Sequence, residues 1–189
     1  MKYFTELNDL PIFDLLTELD RLNIEWPQGN QICLNTVKGH EDDYILGNGS
    51  LVFDWDKQYF EIDEHGMERS IVPKREYQYD ESDFNILCSV FVGTQFEIVY
   101  RALEKKYNLG RVRLMKSKPK TCLSWHVDTN IRVHYPIKTQ EGCFMVIDNE
   151  IKHLPKYTWW ETNTIFPHTV FNASSEDRVH LVISVLSKK

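Results

Sequence analysis

The chain has 189 residues, 42% of them apolar and 13% aromatic, which is enough for one domain with a sizeable core of its own. Its formal net charge of -6 argues against a nucleic-acid or anionic-membrane surface as the main partner. No run approaches the roughly 20 apolar residues that span a bilayer. Four scattered cysteines, Cys33, Cys88, Cys122 and Cys143, form no CxxC pair, so they are expected to be reduced and mostly buried thiols of a cytoplasmic protein. The opening MKYFTELNDLPIFDLL is interrupted by Glu6, Asp9 and Asp14 and lacks the apolar centre of a signal peptide.

In chain order, PIFDLLTELDRLN (11–23) predicts an amphipathic helix. Ile12, Leu15, Leu16, Leu19 and Leu22 make its apolar stripe, and Pro11 suits its first turn. QICLN (31–35), SLVFDW (50–55) and QYFEI (58–62) read as strands, with turns at GNG and EHGM. The charged stretch 64–83, with Pro73, reads as a long loop. A second helix is expected over 94–107, opened by a Thr94–Glu97 capping box and closed by Asn108 and Gly110. Strand candidates then follow without a helix between them: 111–116, 122–127, 131–137, 142–148, 163–167 and 178–186. The basic run RVRLMKSKPK (111–120) fits a strand entering a solvated turn better than a phosphate patch. Short strands in succession point to a sandwich, jelly roll or barrel, and the preceding helices would pack outside it. The expected class is α+β, mainly β.

Within these strands, SWHVDTNIRVHYPI carries the chemistry. His126 and Asp128 are two residues apart, so a strand points both the same way and both could reach one metal. A pair at that spacing is a weak signal without a third ligand. His168, beside a turn and separated from His126 by enough chain to cross a barrel and return, is the position that fits. Two histidines and a carboxylate make a facial triad, which suits non-haem Fe(II) and leaves three positions open. In RVHLVISV, Val179, Leu181, Ile183 and Val185 form one face; Arg178, His180, Val182 and Ser184 form the other. An arginine on an inward face needs an anion, and a carboxylate gripped by guanidinium is the natural partner. A dicarboxylate could chelate iron at one end and meet Arg178 at the other. Glu176 and Asp177 are the competing internal partners.

HxD, then R-x-H, then FPHTVFNASSEDRVHLVI resembles the Fe(II)- and 2-oxoglutarate-dependent oxygenases, and more narrowly their aspartyl/asparaginyl β-hydroxylase branch. The resemblance rests on His168, Asn172, Arg178 and Leu181, on Arg132 and His134, and on GRVRLMK at Gly110 to Lys116; it covers about residues 84–186. It implies a double-stranded β-helix (jelly roll, cupin-like) with flanking N-terminal helices. It also implies iron on His126, Asp128 and His168, the distal carboxylate of 2-oxoglutarate on Arg178, and Arg132 and His134 beside the co-substrate. The implied activity is hydroxylation of a C–H bond of an amino acid or a peptide or protein side chain, using O2 and releasing succinate and CO2. Some members of the branch lack the carboxylate ligand, whereas this chain has Asp128. Its interval from His126 to the R-x-H is shorter than in the animal enzymes.

The whole of 1–189 is expected to be one domain, with 1–83 packing on a motif-bearing core of 84–189. Two other classes fit parts of the pattern: a non-catalytic jelly-roll module with a structural metal such as zinc, and a cupin-type hydrolase or isomerase, which would favour more histidines. His180 is expected to be structural. Trp125, Trp159 and Trp160 are expected to pack at the barrel rim, and His40, His65 and His153 to be solvated.

Overall fold

The computed structural model describes residues 2–49, 51, 59–62, 65, 68–71 and 79–189. In chain order the elements are β1 (Phe4–Leu7), α1 (Leu15–Leu22), β2 (Gln31–Cys33), β3 (Asn35–Thr36), β4 (Tyr59–Ile62), β5 (Glu68–Ile71), β6 (Ile86–Leu87) and α2 (Gln95–Lys106). There follow β7 (Tyr107–Ser117), β8 (Thr121–Cys122), β9 (Arg132–Lys138), β10 (Cys143–Ile147), β11 (Glu150–Lys152), β12 (Trp159–Thr162), β13 (His168–Asn172) and β14 (Arg178–Lys188). Six strands form one antiparallel sheet in the order β1-β12-β9-β14-β7-β2, and four form a second in the order β11-β10-β13-β8. From β7 onward the chain alternates between the sheets, changing at β8, β9, β10, β12, β13 and β14. That winding is a jelly roll, the fold expected from the sequence.

The alternation along β14 divides the large sheet into two chemically different faces. Val179, Leu181, Ile183 and Val185 join Val112 and Leu114 of β7 and Val133, Tyr135 and Ile137 of β9 in the main apolar cluster. Leu15 and Leu19 of α1 and Phe96, Val99, Tyr100 and Leu103 of α2 cover that face, each fully buried apolar side chain stabilising the fold by about 1.5–3 kcal/mol. The opposite face turns Arg113, Arg132, His134, Arg178, His180 and Ser184 inward, all buried. Met145, Ile147 and Val170 of the small sheet, with Trp160, supply the apolar part of the interior.

Several boundaries differ from the sequence reading. Helix α1 begins at Leu15 because the preceding chain is pinned: Trp159 Nε1 donates to Pro11 O, and Tyr135 Oη bonds both Phe13 backbone groups. Asp14 caps the helix by accepting from Thr17 N at 3.2 Å. The capping box of α2 does not form. The Thr94 hydroxyl donates to Phe91 O, and Glu97 accepts from Gly93 N instead. Nor do Asn108 and Gly110 end that helix in a loop, since α2 passes directly into β7 at Tyr107.

Within 64–83, β5 pairs with β4, and Glu81–Asp83 forms a 3₁₀ turn, so that stretch is not simply a loop. The expected strand 50–55 lies outside the described residues except for position 51, which is a bend. The expected strand 163–167 is a turn, in which Phe166 N donates to Asn163 O and Pro167 has no N–H to give. The flanking strands β12 and β13, together with β1 and β11, are additions to the sequence reading. No helix among the described residues is long and apolar enough to cross a membrane.

Candidate metal centre

His126 and His168 meet at the open end of the small sheet. Each backbone N–H donates to the other's carbonyl, at 3.1 and 2.9 Å, in an isolated antiparallel bridge. This bridge replaces the longer strand expected over 122–127, of which only Cys122 lies in the ladder, as the end of β8. Asp128 N is tied to Thr164 O at 2.9 Å, which brings its carboxylate back toward the bridge. One donor atom from each of His126, Asp128 and His168 lies within 4.8 Å of the others.

Hydrogen bonding selects which ring nitrogens face the centre. His126 Nδ1 is 2.8 Å from Ser124 O, and His168 Nδ1 is 3.0 Å from Phe166 O. A carbonyl only accepts, so each Nδ1 carries the proton and each Nε2 keeps its lone pair. Burial holds the His168 imidazole below its ordinary value, partly offset by the Phe166 carbonyl, and this favours the neutral ligating form. Asp128 divides its oxygens: Oδ1 accepts from Arg132 Nη2 at 2.9 Å, while Oδ2 lies 3.5 Å from His168 Nε2. Arg132 also donates to the Ser184 hydroxyl, which anchors this clasp on β14.

A cavity of about 330 Å³ opens from the three donors into the interior; Arg132, His134 and Arg178 all line it. Ligand pockets of roughly 300–1,000 Å³ are usual for small molecules. Met145, Val170 and Val182 contribute apolar wall. Arg178 is 4% exposed, and its Nη2 is 2.8 Å from His180 Nδ1. Neither Glu176 nor Asp177 serves it; Glu176 pairs with Lys138 at 3.2 Å. Burial lowers the Arg178 guanidinium to about 10, so it remains a cation at neutral pH, with no carboxylate partner among the described residues. His134 and His180 are fully buried and, desolvated beside Arg178, are held well below their ordinary values. Both ring nitrogens of His134 and Nε2 of His180 lack hydrogen bonds.

The expected site residues His126, Asp128, His168, Arg132, His134 and Arg178 therefore surround one cavity. Trp159 lies under the helices and Trp160 in the interior cluster, while Trp125, expected to pack at the rim, is 57% exposed beside His126. His153 is not solvated: half-buried, its Nδ1 lies 2.8 Å from Cys143 O. His40 is half-buried against Tyr79, and His65 is exposed. Arg113 lines the cavity too. No motif in the sequence marks it as a site residue, although the alternation in RVRLM puts Arg111, Arg113 and Met115 opposite Val112 and Leu114.

The fold and donors together define a jelly-roll protein with a three-ligand candidate metal centre at the mouth of its lumen. Residues 87–188 match the family model described as aspartyl/asparaginyl beta-hydroxylase, and the chain belongs to that family. No curated protein matches it in sequence. Among solved structures it is similar to an oxidoreductase of the 2OG-Fe(II) oxygenase family from Burkholderia pseudomallei, with 15% identity and a TM-score of 0.37, over 40% of this chain and 43% of that one. A cupin domain from Bordetella pertussis Tohama I is similar at 18% identity and a TM-score of 0.36, over 41% of this chain and 81% of that one. The chain thus spans less than half the length of the first of these structures. Family membership implies Fe(II) and 2-oxoglutarate. The residues present fit both groups: two Nε2 lone pairs and a carboxylate oxygen for the metal, and a buried cation with no carboxylate among the described residues for the co-substrate.

Proposed function

We propose that the protein is an Fe(II)- and 2-oxoglutarate-dependent dioxygenase that hydroxylates a C–H bond of an amino acid or of a peptide or protein side chain, releasing succinate and CO2. The observation that carries this reading is Arg178: a buried guanidinium with no carboxylate partner among the described residues, in the same cavity as the His126–Asp128–His168 cluster. A structural metal site needs no such cation.

In this reading His126 Nε2, His168 Nε2 and Asp128 Oδ2 would hold the iron. The iron, 2-oxoglutarate and O2 supply the oxidising chemistry that replaces a C–H hydrogen by hydroxyl. The chain supplies placement and exclusion of water. Arg178 binds the distal carboxylate, and His180 Nδ1 accepts from Arg178 Nη2 and fixes the plane of the guanidinium. Arg132 occupies Oδ1 of Asp128 and leaves Oδ2 directed toward the metal. His134, beside Arg132 on β9, presents two unsatisfied ring nitrogens to the cavity, where a co-substrate oxygen could meet one of them. Met145, Val170 and Val182 keep water from the reacting atoms.

The same reading treats 1–189 as one domain in which 1–83 packs on the barrel formed by 84–189; α1 beneath β9, and β1 and β2 at the two edges of the large sheet, support it. The unpaired, buried thiols of Cys33, Cys88 and Cys143 support a cytoplasmic setting.

Anaerobic addition of Fe(II) and then 2-oxoglutarate tests the proposal. A weak visible band near roughly 500 nm is expected from the chelate, a property of the metal complex, and it should be absent in His168→Ala. A metal-loaded protein that gives no band with 2-oxoglutarate would instead be a non-catalytic binding module.

A further inference from the structure

Four arginines are buried on β7, β9 and β14: Arg111, Arg113, Arg132 and Arg178. Two have acids. Glu81 grips Arg111 at 2.8 Å, and Asp128 holds Arg132 at 2.9 Å. Arg178 is assigned above to the co-substrate. Arg113 is left, 7% exposed, on the cavity wall and without a carboxylate among the described residues.

Among the described residues its hydrogen bonds are all on one side. Nη1 donates to Gln31 Oε1 at 3.0 Å and to Gly49 O at 3.1 Å. Nε is buried and has no partner. Gln31 and Gly49 thus hold the guanidinium by one corner and leave its Nε–Nη2 edge, which presents two parallel N–H groups. Burial lowers Arg113 to about 10, so it stays charged at neutral pH.

Register fixes the level of Arg113 along the lumen. Arg113 is opposite Val182, which is opposite His134. Arg132 pairs with Ser184, two residues farther along β14. Arg178 lies four residues the other way, about 13 Å along the strand at the usual rise. Arg113 is therefore at the metal end of the lumen and Arg178 at the far end. If 2-oxoglutarate spends one carboxylate on the metal and the other on Arg178, neither reaches Arg113.

We propose that the Nε–Nη2 edge of Arg113 is a second anion site of the lumen and takes a carboxylate carried by the substrate. This rests on the oxygenase reading for its geometry. Two parallel donors match a planar two-oxygen anion. A phosphate would draw on more cations, and the neighbouring Lys116 is engaged over the Trp26 ring at 4.5 Å. An internal neutral side chain of a protein would leave the charge uncompensated in a dry pocket. A free amino acid, or an acidic side chain, would not.

Anaerobic calorimetry on the Fe(II)–2-oxoglutarate protein tests this with the twenty free L-amino acids, the C-terminal amide of each, and the blocked pair N-acetyl-aspartic acid amide and N-acetyl-asparagine amide. At least one free carboxylate is expected to bind, with its neutral amide at least tenfold weaker. Binding of free acids places the anion on an α-carboxylate; binding of the blocked aspartate alone places it on a side chain. In Arg113→Met the acid–amide difference should vanish while the visible band with 2-oxoglutarate persists. Equal binding of acid and amide, an acid preference that survives in Arg113→Met, or no binding by any probe overturns the assignment. The wild-type comparison needs no variant, so it stands even if Arg113→Met folds poorly. A missing band in wild type would sink the oxygenase reading instead, and the acid–amide comparison on metal-loaded protein would still decide Arg113.

Discussion

Asp128 has two obligations, an ion pair to Arg132 through Oδ1 and a metal position through Oδ2. Removing it costs both. Asp128→Ala should abolish turnover and weaken iron binding, measured as succinate release and as metal retained after gel filtration. Arg178→Ala should act differently. A charge-assisted hydrogen bond is worth about 1.5–3 kcal/mol, so the 2-oxoglutarate requirement should rise by about 10- to 150-fold, with iron content little changed. An unchanged requirement would remove Arg178 from the co-substrate site. His180→Leu should raise the same requirement by a smaller factor, because it leaves the guanidinium in place but withdraws the acceptor at 2.8 Å that orients it.

At the level of elements, Asn172 ties the end of β13 to three neighbours. Its amide donates to Ser117 O, Lys118 O and Glu176 O, and its Oδ1 accepts from Ser174 N and Oγ. It thereby fixes both the β13–β14 turn and the exit of β7. Asn172→Ala should destabilise the fold by about 2–4 kcal/mol, read by urea denaturation, because buried carbonyls lose donors. A change under 0.5 kcal/mol would mean that the turn is held by other contacts. Asn172 shows what the sequence could and could not yield. It was legible as part of a motif but not as the knot that joins three segments, because the acceptors of its amide are backbone carbonyls and carry no side-chain signature. The faces of β14 were legible from strict alternation, and the His126–Asp128 pair from its spacing. Strands β11, β12 and β13 carry no alternation for a sequence reading to find: β12 and β13 bury nearly every residue, and β11 exposes most of its own. Gly110 was misread as a helix stop. It is a close approach inside a strand, where a Cβ would come within 2.6 Å of Glu81 Oε2.

The molecule as a whole encloses two fully buried neutral imidazoles, His134 and His180, held below the ordinary 6.5 first by burial. The unfolded chain takes up these protons below about pH 6.5 and the folded chain does not. Stability is therefore lost as the pH falls from 6.5, by up to about 1.4 kcal/mol per pH unit for each imidazole. Unfolding of metal-free protein between pH 7.5 and 5 should show this slope, and His180→Gln should reduce it. A flat profile would place charged histidines in the lumen. The strand carrying His180 also governs when that lumen can exist. β14 follows every other described strand in the chain, yet lies between β9 and β7 in the large sheet. While a ribosome is still delivering residues up to 177, the sheet is two unjoined halves, and the future lumen is a wet trough of arginine and histidine. Folding thus has to wait for residues 178–188 and then close in one event. A nascent chain arrested before Arg178 should be cut readily by protease, and one carried past Lys188 and clear of the exit tunnel should resist.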